Sequence, residues 1–239
     1  MDNRLALTCG TDIPIPSCKL ILHQPTIEEI SYVGNTNFFI GVQTLCLHKS
    51  MFVEDKNVLE DITSFQIFMM IMNDKETLEK KNCTLQVLYL LFPNYRIILT
   101  PMSILFQLEK NQFIVDSSNF EDLQSYIRQV FCANTGPMNQ QAFNPGNDRA
   151  KEIAQKLMRG RQRVAEQKKE KDVCIFSQYI SILSVGLQKD KNILKKYTMY
   201  QLYDEFERYI LKINWDVDLQ ARLAGAKPDG KVENWTKVL

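Results

Sequence analysis

The chain is 239 residues long, enough for one large domain or two small ones, and folding should bury roughly 70% of the unfolded chain's surface. Apolar residues at 45%, charged residues at 24% and aromatics at 10% exclude a disordered chain. A net charge of +1 excludes a strong whole-molecule field for nucleic acid or membrane, so any such affinity has to come from a local patch.

In chain order, residues 1 to 25 hold short apolar pieces between Pro14, Pro16 and Pro25, and these prolines forbid a helix. Lys19 to His23 reads as a short edge strand. Thr26 then has the form of an N-cap, with Glu29 completing a capping box and Glu28 adding negative charge at the positive helix end. That helix should reach Val33 and stop at Gly34 and Asn35. Between 36 and 48, Phe38, Phe39, Val42, Leu45 and Cys46 recur on one helical face. Two more helices are expected over 57 to 73 and 76 to 92. The first turns Leu59, Ile62, Phe65 or Ile67, Met69 and Met70 inward. The second turns Leu78, Leu85, Leu88, Tyr89 and Phe92 inward and is ended by Pro93.

Three β-branched or aromatic runs follow, at 96 to 100, 103 to 108 and 112 to 116, separated by turn-like residues. They read as a three-stranded antiparallel meander. Ser118 or Asn119 should cap the next helix, which runs to Cys132 with Phe120, Leu123, Ile127 and Val130 or Phe131 inward. Residues 133 to 147 carry two Gly, two Pro and four Asn, the composition of a linker. It reads either as a spacer or as a segment that orders on a partner with Phe143 as anchor.

Beyond the linker the character changes. Residues 148 to 171 form a thin amphipathic helix with nine Lys or Arg against three Glu between Arg149 and Lys171. Its Arg159, Arg161 and Arg163 read as a solvated face, a surface for an acidic protein, or a phosphate contact. No aromatic residue accompanies them to stack on bases, which makes nucleic acid the least supported of the three. An apolar helix over 173 to 185 should stop at Gly186, and one turn is expected within 190 to 196. Thr198 then caps a long helix carrying Met199, Leu202, Phe206, Tyr209, Ile213 and Val217 at intervals of three or four. It should end near 224 to 226, before a short tail with Trp235. Tyr200, Tyr203 and Trp215 exceed what a single buried stripe needs; they read as core residues or as interface anchors. The expected fold is α+β and predominantly α-helical. It has an N-terminal α+β domain at 1–132 containing the meander at about 96–116, a linker at 133–147, and a helical C-terminal domain at 148–239 with a long amphipathic helix near 198–224.

The sequence offers little for catalysis. It contains no glycine loop of the phosphate-binding kind and no GxSxG elbow. His23 falls at a strand end and His48 at a helix end. Cys46 lies two residues from His48, a spacing that puts them on different helix faces. Glu28 and Glu29 are explained by capping, and Asp204, Glu205 and Glu207 by a solvated face near cations such as Arg208. Asp216 and Asp218 lack a third metal ligand nearby. The six cysteines are scattered without a CxxC spacing, and most sit in apolar runs, so they read as free, buried small hydrophobes and not as a disulfide or zinc framework. The N-terminus has no apolar core after a basic start, and the longest apolar stretches are too short to span a bilayer. A cytoplasmic protein without cofactor, metal or catalytic role is the expectation.

Three blocks resemble a known family. They are the opening IPIPSCKLILHQPTIEEISYVGNTNFF, the middle LQVLYLLFPNYRIIL, and the last part, NDRAKEIAQKL, SQYISILSVG, YTMYQLYDEFERYILKINWDVDLQARLAGAK and VENW. They are similar to tail-module proteins of bacteriophages and prophages of Gram-positive bacteria, of the tail assembly chaperone or baseplate-hub assembly kind. YQLYDEFERY followed by ARLAGAK is the most specific part. The resemblance implies a helix-rich, non-catalytic binder of the tape-measure protein or of hub components, acting in the host cytoplasm or remaining in the virion. It carries no catalytic residue across, and self-association is left open.

Overall fold

A computed structural model describes residues 3–47, 62–133, 174–225 and 235–236 of the chain. These form an α+β structure that is predominantly helical, with two small antiparallel sheets. The first helix, α1 (Arg4–Cys9), corrects the expectation of no helix over residues 1 to 25. It lies ahead of every proline, and the prolines exclude a helix only from Pro14 onward. Gly10 closes α1 in the left-handed region at φ 67°, where its N–H and that of Thr11 reach back to the last carbonyls. Strands β1 (Ile13–Ile15) and β2 (Leu20–Leu22) then pair, with Ile13, Ile15, Leu20 and Leu22 buried. Pro14 sits mid-strand because a two-stranded ribbon is all edge, and its missing N–H leaves no ladder bond unmade.

Helix α2 (Ile27–Val33) starts on the expected capping box: Glu29 N–H donates to Thr26 Oγ1 at 3.2 Å, and Thr26 N–H donates to Glu29 Oε2 at 2.7 Å. Helix α3 (Asn35–Leu45) buries Phe38, Val42 and Leu45 on the predicted face. It also lays Gly41 against the next helical layer, where an added Cβ would stand 2.5 Å from the Cys83 carbonyl oxygen. Only a residue without a side chain permits that approach.

Helix α4 (Ser64–Asn73) and helix α5 (Leu78–Leu91) follow, joined by a 3-10 turn over Lys75–Thr77. Phe65, Ile67 and Met69 of α4, and Leu88 and Phe92 at the end of α5, are buried as expected, while Leu59 lies outside the described residues; the inward faces differ from expectation at particular positions. In α4, Phe68 and Met72 are buried while Met70 is exposed. In α5, Leu78 and Tyr89 face outward, and Cys83, Thr84, Val87, Leu88 and Leu91 face inward. Thr84 can face inward because its hydroxyl is satisfied within the helix, donating to the Lys80 carbonyl at 2.6 Å. Small inward residues then leave room for α3 at Gly41.

The meander is β3 (Arg96–Thr100), β4 (Ser103–Leu108) and β5 (Asn111–Val115), the last shifted one residue from its predicted place. Register sets Ile97 opposite Phe106 and Phe106 opposite Phe113, on the face that also receives Phe92 at 4.8 Å from Phe106. Helix α6 (Phe120–Val130) buries Phe120, Leu123, Ile127 and Val130 as predicted. Its capping differs. Asn119 caps nothing, because its side chain accepts from Asp116 N–H at 2.9 Å and donates to the Ile114 carbonyl at 3.0 Å.

The last described part comprises α7 (Ile175–Gly186), the short α8 (Lys191–Leu194) and α9 (Met199–Leu223). Its described residues share one apolar cluster with the earlier elements. Phe176 stacks on Phe39 at 5.5 Å and meets Phe38 edge-on at 6.0 Å. At the start of α2, two N–H groups that a helix cannot satisfy internally are taken by the loop before α9: Ile27 donates to the Tyr197 carbonyl at 2.9 Å and Glu28 to that of Lys195 at 2.8 Å. Thr26 and Thr198, the N-caps of α2 and α9, face each other as a β-bridge.

Candidate functional site

Helix α9 begins on its own capping box. Gln201 N–H donates to Thr198 Oγ1 at 3.2 Å, and Thr198 N–H donates to Gln201 Oε1 at 2.9 Å. Gln201 Nε2 also donates to the Thr8 carbonyl at 2.9 Å and so pins the helix to α1. From this fixed start the apolar stripe runs outward. Met199 and Leu202 are buried, and Phe206 is half-buried with its ring stacked on Tyr179 at 4.0 Å. Tyr209 closes the packed stretch by lying over Gly186, where an added Cβ would meet its ring at 2.1 Å. Beyond it the same stripe opens toward solvent among the described residues: Ile213 is 37% exposed and Val217 60%. Leu219 and Leu223, four residues apart on a second line, are exposed as well. From Ile210 to Leu223 the helix extends for about 20 Å.

Charge along this segment is balanced locally. Arg208 pairs with Asp204 at 3.0 Å, Lys212 with Asp216 at 4.0 Å, and Arg222 with Asp218 at 2.7 Å, all at i,i+4. Such exposed pairs stabilise a helix by only about 0.3–0.5 kcal/mol each. Their larger consequence is that the apolar line is flanked by neutralised charge. Asp216 and Asp218, weighed as metal ligands, are each committed to a cation. Glu205 is held by Lys189 at 2.6 Å and not by Arg208. Among the described residues no cluster of three or more His, Cys, Asp or Glu could hold a metal ion.

The candidate anchors fall in two places. Tyr200 is half-buried against the core at the packed end, where burial, with Asp204 nearby, raises its phenol. Tyr203 tilts over Tyr179 at 6.4 Å, and burial together with Glu207 pushes its phenol up to about 12. Trp215 is half-buried in the outer half of the helix, two residues on from Ile213 and therefore on a different face. Phe143, Arg159, Arg161 and Arg163 lie outside the described residues, as does His48. Leu219 and Leu223 fall off the stripe read from the sequence, although their i,i+4 spacing is a readable sign.

Most of the remaining reactive side chains among the described residues are occupied or subdued. His23 Nδ1 meets Asp12 at 2.9 Å and its Nε2 lies 3.5 Å from Glu29, at the α2 cap. Burial pushes the thiols of Cys46 and Cys132 up to about 12, which keeps them protonated and poor nucleophiles. Cys18, Cys83 and Cys132 are buried, as their apolar settings imply, whereas Cys9 is exposed at the end of α1. No helix among the described residues is long and apolar enough to cross a membrane.

No curated protein and no solved structure matches the chain. Residues 167–239, which include α7, α8 and α9, match a family model described as the YomV second domain. YomV is a Bacillus phage and prophage protein, so the part of the chain that carries the exposed stripe is similar to a phage-associated domain.

Proposed function

We propose that the chain is a phage tail or baseplate assembly protein that works without catalysis, by binding tape-measure or hub components through exposed helical surfaces. One observation carries this reading: the apolar stripe of α9 outruns the body it packs on, leaving Ile213 and Val217 in solvent together with Leu219 and Leu223. Covering large aliphatic side chains contributes up to about 2 kcal/mol each, and neutral flanks add no charge barrier to a partner. An apolar helix or groove on another tail protein is the natural complement. The similarity of residues 167–239 to a phage-associated domain supports the setting. The protein would act in the host cytoplasm, and mass spectrometry of purified particles would separate an assembly factor from a component retained in the virion.

The test is co-expression with the neighbouring tail genes followed by pull-down. The intact chain should recover a tape-measure or hub protein. The double variant I213D/V217D should lose it while keeping its helical content and melting temperature. Recovery of nothing with every tail gene present would end this reading.

A further inference from the structure

A cavity of about 280 Å³ opens where the start of α2 and α3 meets α7 and the loop before α9. Its floor is apolar, made by Ile30, Phe176 and Ile180. On its wall Lys195 Nζ meets a Glu28 carboxylate oxygen at 2.8 Å, so the two charges there cancel. Asn35 accepts from the Cys174 thiol through its Oδ1 at 3.5 Å and leaves its amide N–H group as a donor. The volume is at the small end for a free cofactor but holds one large side chain with the backbone beside it. A charged ligand would have to compete with the ion pair, whereas an uncharged one need not. That neutral donor suits a peptide carbonyl.

We infer that this cavity seats one large uncharged apolar side chain, of leucine or phenylalanine type, from a segment of a partner polypeptide. This rests on the protein-binding reading above and adds a second contact, remote from the outer half of α9. Because the cavity is walled by α2 and the start of α3 on one side and by α7 and Lys195 on the other, its occupant bridges the early elements to the last described part.

The probes are N-acetyl-phenylalaninamide, N-acetyl-glycinamide and N-acetyl-aspartamide, titrated into the full ¹⁵N-labelled chain. The phenylalanine probe should give saturable amide shifts confined to residues 27–35 and 174–180, with the other two at least tenfold weaker. Ser177→Trp, at the exposed rim, should plug the cavity and weaken the phenylalanine probe tenfold or more with the melting temperature retained. Lys195→Gln leaves Glu28 unneutralised and should turn the preference toward N-acetyl-lysinamide, a readout independent of whether the fold tolerates a bulky ring at the rim. Absence of saturable shifts at those amides, or equal binding of the charged probe to the intact chain, would overturn the inference. If I213D/V217D still abolishes partner capture in that case, only the cavity is refuted and the α9 reading stands.

Discussion

The two halves of α9 share one helix and one apolar spacing, but they live in different surroundings. Residues 199–209 are bracketed by a capping box, by the Gln201 bond to α1, and by Tyr179 and Gly186 of α7. Residues 210–223 keep the repeat of aliphatic side chains and lose the neighbours, so exposure climbs from Leu202 at 1% to Leu223 at 80%. A periodic stripe states which face of a helix is to be covered, and says nothing about which chain covers it. In the inner half the chain covers itself. In the outer half the described residues leave that face open.

The sharpest way to break this contrast is truncation at matched depths along the stripe. Leu202→Ala opens a cavity in a filled site and should destabilise the fold by about 2–5 kcal/mol, whereas Val217→Ala should change stability by no more than about 0.5 kcal/mol. Urea denaturation of both variants measures the difference, and equal losses would erase the distinction. Thr198→Ala removes the cap that starts the inner half and should cost about 1 kcal/mol, roughly 2–4 °C in a chain of this size, read by calorimetry. Gly186→Ala puts a methyl where the tip of the half-buried Tyr209 ring lies, at the boundary between the halves, and the ring can swing aside. The cost of about 1 kcal/mol should be offset by the helix-propensity gain of about 0.5–1 kcal/mol, so the melting temperature should stay nearly unchanged, and a large drop would show that Tyr209 is locked in place.

The smallest effect concerns pH at the facing cap. Partial burial alone would raise the Glu29 carboxyl, but hydrogen bonds from the Thr26 N–H and hydroxyl, with His23 beside it, outweigh burial and hold it below the usual carboxylate range. A folded-state value below the unfolded one means this group adds stability above the ordinary carboxylate range, lost as pH falls through the folded value. Glu29→Gln should therefore flatten the acid limb of a stability-against-pH curve and leave the neutral region nearly parallel to the parent. An unchanged acid limb would show that Glu29 is not coupled to folding.

Much of the architecture is legible in the sequence because it is written in local signals. The box at Thr26, the cap at Thr198, the meander and the inner face of α6 need only nearest neighbours to be read. What escapes reading depends on contacts distant in sequence. The inward face of α5 is set by Gly41, which lets the Cys83 carbonyl come close, so Leu78 and Tyr89 yield to smaller residues. The α1 helix is hidden by prolines that in fact lie beyond it. Asn119 is diverted from capping by Asp116 and Ile114. For the candidate surface, the spacing of Ile213 and Val217 is visible, but their lack of cover is not, since periodicity is blind to where a helix runs out of neighbours. The cavity beside Lys195 is invisible for the same reason: its walls come from residues 27–35 and 174–195.

Hydrogen exchange across α9, measured on the free chain and on the complex recovered from co-expression, separates the two halves of the helix. Amides of 199–209 should be protected in both states, while those of 210–223 should exchange quickly in the free chain and gain protection in the complex. Equal exchange of 210–223 with and without the bound tail protein would contradict it.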